Sequence, residues 1–491
     1  MFSLNRRDIP DEVTKVAETI EAAGFEAFLV GGCVRDLLIG RVPKDWDITT
    51  NALPDQIVAL FPETFQNNVF GTVGVVSETE NIAVKVVEVT PYRVESGYSD
   101  ARRPDEVTFT QNLDEDLMRR DFTVNAIAYS ISKDLLVDHF EGESDLKTKR
   151  VRAVGNASER FSEDALRMMR AVRLAVELDF TIEGDTLKAI AENALNLSRI
   201  SKERIRDEFI RIIASPQPMQ GIIFLEKLGM LKFIAPDLLD AIGIEQNGAH
   251  AYHVYEHLLR TLQHGADKDF PFEVRLAGLF HDIGKPASRR WSDEKKDWTF
   301  HGHEVIGARM TKKALETLKF PRETIDIVVR LVRWHMFFSD PAQITLSAVR
   351  RTINNVGEDQ IVNLLSLRMC DRIGTGRPKE QPFRFRQYKS MVDEALRDPI
   401  SVKLLKIDGV RIMEVAGEKP GPKLGYTLHA LLEEVIDDST RNTPAYLEKR
   451  AVELMQMDAG ELRKLGEQGK EAKDTEEEAE IAKLKKKHNV T

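Results

Sequence analysis

The sequence predicts an α+β chain, with a small mixed-sheet head followed by an all-α remainder. Up to about residue 155, short apolar runs alternate with turn residues, whereas from Ser162 onward apolar residues recur at the three-to-four spacing of amphipathic helices. Composition sets the scale: 491 residues, 42% hydrophobic and 31% charged, suit a globular chain of several domains. In order, Phe25 to Val30, Thr72 to Val76 and Ile82 to Val89 read as strands, separated by turns and one or two helices. Ser162 is placed as the N-cap of EDALRMMRAVRLAVEL and Ser201 as that of KERIRDEFIRIIA. Turn-rich stretches near Ala241 to Gly248 and Gly374 to Pro382 divide the helical part. The expected layout is a head over 1–155, a neck over 156–240 that binds nucleotide and RNA, a His-bearing body over 241–375, a helical, RNA-binding C-terminal region over 376–465 and a tail over 466–491. That tail mixes EEEAE with KLKKK and has few apolar anchors, so it reads as solvated helix or disordered chain. No internal repeat is present.

Several classes are excluded early. No apolar run approaches the eighteen or so residues of a membrane span, and MFSLNRRDIP lacks the apolar core of a secretory signal, so a cytoplasmic location is expected. Two cysteines, Cys33 and Cys370, give neither a disulfide framework nor a zinc finger, so any metal must sit on His, Asp or Glu. A net charge of -10 excludes a protein coated in basic surface but leaves room for a local basic stripe on which nucleic acid could lie. No signature of oligomerisation is read.

The stretch FLVGGCVRDLLIGRVPKDWDITTNALPDQIVALF is the most informative. A strand runs into Gly31-Gly32, a short helix follows, and a second strand carries Asp45 and Asp47. The glycine pair lets backbone N–H groups approach a phosphate, and Arg35 just inside the helix can pair with it. Residues two apart on a strand share a face, so both carboxylates meet one site, which suits Mg²⁺ arriving with a nucleotide. Two such ions stabilise the attacking and leaving oxygens of an in-line displacement at phosphorus. An Asp-x-Asp arises by chance roughly three times in such a chain, and Asp114-Glu115-Asp116 reads as one such case. The spacing from Gly31-Gly32 through Arg35-Asp36 is what makes Asp45 and Asp47 specific.

With these residues in hand, GG-x-VRD-x-LLG followed by D-x-D, with Ile39 where Leu is commoner, resembles the head signature of class II tRNA nucleotidyltransferases, the CCA-adding enzymes, and of the related bacterial poly(A) polymerases. The likeness continues through Arg119-Arg120-Asp121-Phe122-Thr123-Val124-Asn125-Ala126 and through Glu163 to Arg173, covering roughly residues 25 to 240. It implies a polymerase-beta-like nucleotidyltransferase head in which Asp45 and Asp47 hold Mg²⁺ and Gly32 and Arg35 contact the triphosphate. It further implies that Arg120 meets the incoming nucleotide, that Asp164 and Arg167 act as a protein template for the base, and that Arg170 and Arg173 add contacts. An Asp accepting from an exocyclic amine and an Arg fork donating to ring nitrogens or a carbonyl can read the edges that cytosine and adenine share. Each residue also has a structural reading: Glu163 and Asp164 fit the first turn of a capped helix, and arginines spaced by three fit a solvated basic face. Glu88 is a further carboxylate candidate, and Tyr92 to Pro104, with Arg93, Gly97, Arg102 and Arg103, resembles the family's flexible loop.

In the body, His253-x-x-x-His257, then Phe280-His281-Asp282-Ile283-Gly284-Lys285, then His301, His303, His335 and Asp371 follow in order. The set His257, His281, Asp282 and Asp371 resembles that of the HD phosphohydrolases, with His303 and His335 where some members hold a second metal. Imidazoles with carboxylates favour a transition metal over Ca²⁺, and a bound ion can activate water against a phosphate ester.

Taken together, the expected activity is template-independent addition of CCA, or part of it, to the 3′ end of tRNA from CTP and ATP, with release of pyrophosphate. Addition of CC or A alone, and poly(A) synthesis, share this chemistry. The alternative of another class is a metal-dependent phosphohydrolase whose head binds RNA. Phe70-Gly71-Thr72-Val73 and the His-bearing body resemble the CCA-adding pattern more than the polymerase one.

Overall fold

The computed structural model describes residues 4–66, 71–97, 106–248, 250–337, 344–397 and 402–467. Phe70, the loop tip with Arg102 and Arg103, and the tail beyond residue 467 therefore lie outside the described residues. The chain forms two compact units, Met1–Ile234 and Ala235–Thr491.

The first unit carries the mixed sheet. Its strands are β1 (Ala27–Val30), β2 (Asp47–Thr50), β3 (Thr64–Gln66), β4 (Val73–Val76), β5 (Val86–Pro91), β8 (Ala128–Ser130) and β9 (Leu135–Val137), in the spatial order β3-β4-β5-β2-β1-β8-β9. A hairpin of β6 (Arg93–Ser96) and β7 (Glu106–Phe109) stands apart, and β10 (Arg150–Val151) pairs in parallel with β11 (Thr181–Ile182). Around these lie α1 (Asp11–Ala22), α2 (Gly32–Leu38), α3 (Pro54–Leu60), α4 (Leu113–Met118) and α5 (Gly142–Lys147). They are followed by α6 (Ala157–Glu163), α7 (Leu166–Leu178), α8 (Gly184–Asn193), α9 (Lys202–Ala214) and α10 (Pro218–Lys227). Strand β2 is central, antiparallel to β1 and parallel to β5, and Ile48, Val87 and Val89 are buried beside it. Alternation along β5 buries Val87 and Val89 on one face and leaves Glu88 on the other, opposite Asp47 in register.

Three local expectations are corrected. Asp45 lies before β2 and is exposed, and only Asp47 belongs to the strand. Ile82–Val84 form a 3₁₀ turn capped by the Asn81 side chain, so the strand begins at Val86. Ser162 sits inside α6, its hydroxyl donating to the Ser158 carbonyl at 2.8 Å; Asn156 caps that helix, and the chain turns at Asp164 before α7 begins. The Asp164 carboxylate accepts from Leu166 N at 3.0 Å, a bond unavailable if Asp164 continued a helix from Ser162. Ser201 does hold the N-cap position of α9, without a side-chain cap bond.

The second unit is helical: α11 (Val254–Asp267), α12 (Phe272–Phe280), α13 (Lys285–Ser288), α14 (His303–Thr317), α15 (Arg322–Trp334), α16 (Leu346–Val356), α17 (Ile361–Gly374) and α18 (Phe383–Ala395). A C-terminal group, α19 (Gly409–Ala416), α20 (Pro422–Asp437), α21 (Pro444–Gln456) and α22 (Ala459–Glu467), packs its own apolar cluster that includes Ile412, Leu431, Leu447 and Leu454. One hairpin, β12 (Arg290–Ser292) with β13 (Asp297–Thr299), interrupts the helices. Helix α11 packs most heavily on α17 and α12, and α12 is buried nearly all round. Periodicity places the polar cluster: His257 shares the buried stripe of Val254, Leu258 and Thr261, while Val328, Leu331 and Val332 run on to His335. Each fully buried aliphatic side chain contributes roughly 1.5–3 kcal/mol, which offsets the cost of enclosing imidazoles and carboxylates among them.

Candidate functional site

In the head, Gly31 has φ +79°, a conformation that favours glycine. A Cβ there would lie 3.4 Å from an Arg120 nitrogen and 3.5 Å from an Asp47 oxygen, so the turn, the strand carboxylate and the arginine face one another. Burial pushes the Asp47 carboxyl up to about 6; Arg120 opposes the rise, and the charges of Glu88 and Asp45 add to it. The structure thus brings together Gly31-Gly32, Asp45, Asp47, Glu88 and Arg120. Three crowded carboxylates facing one arginine fit a hard dication, which would relieve their repulsion.

Behind this front lies a support that the sequence reading passed over as chance. Asp116 is fully buried and accepts from Arg119 Nε at 2.9 Å, from Arg120 at 3.1 Å and from Thr49 Oγ1 at 3.2 Å. Burial alone would raise its carboxyl, but Arg120 and Arg119 hold it below the ordinary range. Arg119 also reaches Glu95 at 3.2 Å, and Glu95 pairs with Arg93, tying in the base of the β6–β7 hairpin.

A second network joins α2 to α7. Arg35 donates to Asn125 Oδ1 at 2.6 Å, Asn125 Nδ2 donates to Asp121 Oδ1 at 3.1 Å, and Arg170 Nε donates to Asp121 Oδ2 at 2.7 Å. The arginines of α7 form no open basic stripe, because each is paired. Arg167 donates to Glu163 at 2.6 Å and to the Arg119 carbonyl at 3.1 Å, and Arg173 is buried against Glu208 at 3.0 Å. Asp164 is held by the Arg204 fork at 2.6 and 3.3 Å. Arg204, forty residues away on α9, carried no motif signal.

In the body, two donor groups share Asp282. On one side, His257 Nε2 lies 2.9 Å from His281 Nε2, 3.1 Å from Asp282 Oδ2 and 3.4 Å from Asp371 Oδ1. On the other, Asp282 Oδ1 lies 3.1 Å from His303 Nε2 and 3.4 Å from His335 Nε2. The Nδ1 atoms of His281, His303 and His335 meet the carbonyls of Gly278, Phe300 and Val332 at 2.6 to 2.9 Å. A carbonyl only accepts, so each Nδ1 donates to it and each ring turns its Nε2 inward, the arrangement that metal-binding histidines adopt. Burial alone would raise the carboxyls of Asp282 and Asp371, but cations outweigh it: Lys285 (2.5 Å) and His281 hold Asp282, and Arg368 (2.6 Å) and His281 hold Asp371, well below the usual range. Burial would lower His281, yet the two aspartates raise it to about 10, so the cluster favours a cation at its centre. Gly284 is required here, since a Cβ would collide with the His303 carbonyl and displace the start of α14. His253, His301 and the i, i+4 pairing with His257 are not part of this donor set; His253 is the N-cap residue of α11.

Comparison with known proteins gives three family-model matches along the chain. Residues 27–152 match the family model described as "Poly A polymerase head domain", 179–242 match "Probable RNA and SrmB- binding site of polymerase A", and 250–374 match "HD domain". A Bacillus stearothermophilus CCA-adding enzyme, solved in complex with CTP, is similar with TM-score 0.64 and 26% identity, over 91% of this chain and 98% of that one. A Thermotoga maritima CCA-adding enzyme complexed with tRNA CCA shares the fold, with TM-score 0.56 and 19% identity over 91% and 97% of the two chains. No helix among the described residues is long and apolar enough to cross a membrane. The CCA-adding enzyme of Lactobacillus helveticus is 34% identical over 452 residues, 91% of this chain and 98% of that relative, and on that extent of likeness the chain belongs to the CCA-adding enzymes.

Proposed function

We propose that this chain adds C, C and A in turn to the 3′ end of tRNA, using CTP and ATP, with the head carrying the chemistry. The observation that carries the reading is the Gly31 turn set against Asp47, Glu88 and Arg120 in a chain of this family. The 3′ oxygen of the tRNA forms a bond to the α-phosphorus, the bond to the bridging oxygen breaks, pyrophosphate leaves, and the hydroxyl proton passes to solvent. Mg²⁺ held by Asp45, Asp47 and Glu88 would supply the charge that activates the hydroxyl and steadies the leaving group. Gly32, Arg35 and Arg120 hold the triphosphate. Asp164 accepts from the exocyclic amine of C or A, and Arg167 donates to the ring; Arg204 and Glu163 hold the pair in position until a base exchanges with them. Arg170 orients this assembly through Asp121. Arg173, buried against Glu208, contributes by fixing α7 to α9. The neck and body furnish the tRNA surface, and two buried, separate cysteines suit a cytoplasmic setting. The relatives solved with CTP and with tRNA support both partners.

The test is incubation of purified chain with a tRNA transcript lacking its CCA end, with Mg²⁺ and CTP, ATP or both, read at single-nucleotide length. Addition of CCA followed by a stop is expected. A stop at CC, a requirement for a CC-ended primer or a long A tail would replace the reading with a partial adder or a polymerase.

A second reading is favoured by one observation, the paired donor sets meeting at Asp282. We infer that the body holds transition-metal ions and hydrolyses phosphate esters. The ions would supply an activated water. His257, His281, Asp282 and Asp371 would hold one ion, with His303 and His335 completing a second position through Asp282.

A further inference from the structure

We propose that the cavity above the body's His/Asp cluster takes a nucleotide bearing phosphates at two positions, one seated at the cluster and the other on Arg372 and Arg377. The proposal rests on the phosphoesterase reading of that cluster and adds its substrate class. The cavity is about 530 Å³, within the range of small-molecule sites and large enough for a nucleotide. Asp282, His303, His335 and Asp371 are among the residues that line it.

Charge decides the number of phosphates. Lys285, Lys295, Arg368, Arg372 and Arg377 line the cavity against three carboxylates, Asp282, Asp297 and Asp371. Asp297 is occupied by backbone, accepting from Gly248 N at 3.1 Å and from Trp298 N at 2.7 Å. The other two carboxylates belong to the cluster, where bound ions would neutralise them. Lys285 is held by Asp282 and by Gln246 at 2.6 Å, and Arg368 by Asp371. The Arg372 side chain makes one hydrogen bond, from Nε to the Lys379 carbonyl at 3.3 Å, and feels the charge of Asp371 without contact; neither Arg372 nor Arg377 forms an ion pair with a carboxylate among the described residues. A helix C-terminus favours one nearby cation, which accounts for Arg372 near the end of α17. It does not account for Arg377, which lies beyond that end, is exposed and also lines the cavity. A single phosphate at the cluster leaves these two guanidiniums unmatched, whereas a second phosphate meets them through charge-assisted forks.

Other lining residues supply a surface for the base. Trp298 lines the cavity from β13, with Arg289 stacked on its ring at 3.7 Å and Trp291 against its edge at 5.3 Å, so its orientation is fixed. Phe300 and the exposed Met336 lie beside it on the cavity wall. Aromatic and thioether surface together with guanidiniums in one cavity suit a nucleotide more than an unadorned polyphosphate.

Calorimetric titration of the full chain with adenosine 3′,5′-bisphosphate, 3′-AMP and 5′-AMP tests this directly, beside the variant R372A/R377A, whose exposed or half-buried positions leave the fold intact. Nucleotide binding in the head is common to both proteins and cancels in the comparison. The bisphosphate is expected to bind the unaltered chain about tenfold more tightly than either monophosphate, and the variant to lose that preference while retaining monophosphate binding and CCA addition. Equal affinity for one and two phosphates, or a preference that survives in the variant, overturns the proposal. A short RNA ending in a 3′-phosphate, run as competitor, separates the sources: stronger competition than the free bisphosphate assigns the second phosphate to a chain end, weaker competition to a free nucleotide. Phosphate release with Mn²⁺ is read in parallel. Arginine-dependent preference without release from any probe keeps the two-phosphate site and removes the phosphoesterase reading beneath it.

Discussion

Asp47 in the head is pushed up to about 6, whereas Asp282 and Asp371 in the body are pulled well below the ordinary carboxylate range, although all three lie in clusters of metal-type ligands. The head crowds Asp45, Asp47 and Glu88 with one arginine nearby and leaves Asp45 exposed. The body encloses each aspartate between imidazoles and a Lys or Arg. A site with uncompensated repulsion gains most when a cation arrives from outside, together with the nucleotide that brings it. On the proposed function, the enclosed site in the body is the one expected to retain its ion between turnovers. The difference would then separate a delivered metal from a resident one.

The largest test of that separation is a pair of substitutions. Asp47→Ala is expected to lower CCA addition by about 10³-fold or more while the metal retained by the purified chain, measured by elemental analysis, stays unchanged. Asp282→Asn is expected to remove the retained metal with addition altered less than about twofold. If either substitution moves both readouts, the two sites are not independent.

A smaller effect sharpens the role of the neck. Arg173 and Glu208 are both buried, so Arg173→Ala strands a carboxylate and is expected to cost about 3 kcal/mol in denaturant unfolding. Replacing both residues with Met should recover most of that loss. Near-normal addition by the double variant marks Arg173 as a packing residue; a KM for nucleotide raised tenfold with stability restored would instead make it a contact.

The smallest effect concerns pH. The Asp47 carboxyl is raised in the folded chain, so the folded state binds its proton more tightly than the unfolded one, and stability falls as pH rises from about 4 through about 6. Asp47→Asn removes that penalty. Without metal it should be more stable than the native chain by about 1–2 kcal/mol at pH 8 and equal to it near pH 4, read by urea unfolding at both values. The body's aspartates run the other way, since their depressed values contribute stability that is lost only as pH falls below about 4.

Much of the first layer of both sites was legible. Gly31-Gly32, Asp47 and the spaced histidines stand out by residue type and local spacing, and Glu88 is named only as a further carboxylate candidate until the register sets it opposite Asp47. What was missed pairs across distance. Asp116 looked like chance acidity because its role appears only when Arg119, Arg120 and Thr49 converge on it. Arg204 reaches Asp164 across forty residues, and the β12–β13 hairpin was submerged in helical surroundings because three-residue strands carry too little periodicity to register. Ser162 was misplaced for a local reason: Asn156, six residues earlier, is also a cap former, and the turn at Asp164 hides two helices in one apolar pattern.

The chain of bonds from Arg35 through Asn125 and Asp121 to Arg170 bears on how such proteins recombine. A crossover near residue 155, where strands give way to helices, would join an Asp121 from one parent to an Arg170 from another and inherit the link only if both lineages kept it. A crossover near residue 234, at the boundary of the first compact unit, carries the whole chain of bonds from one parent. A recombinant that takes residues 1–234 from one parent therefore keeps this chain of bonds intact, whatever second unit it is joined to.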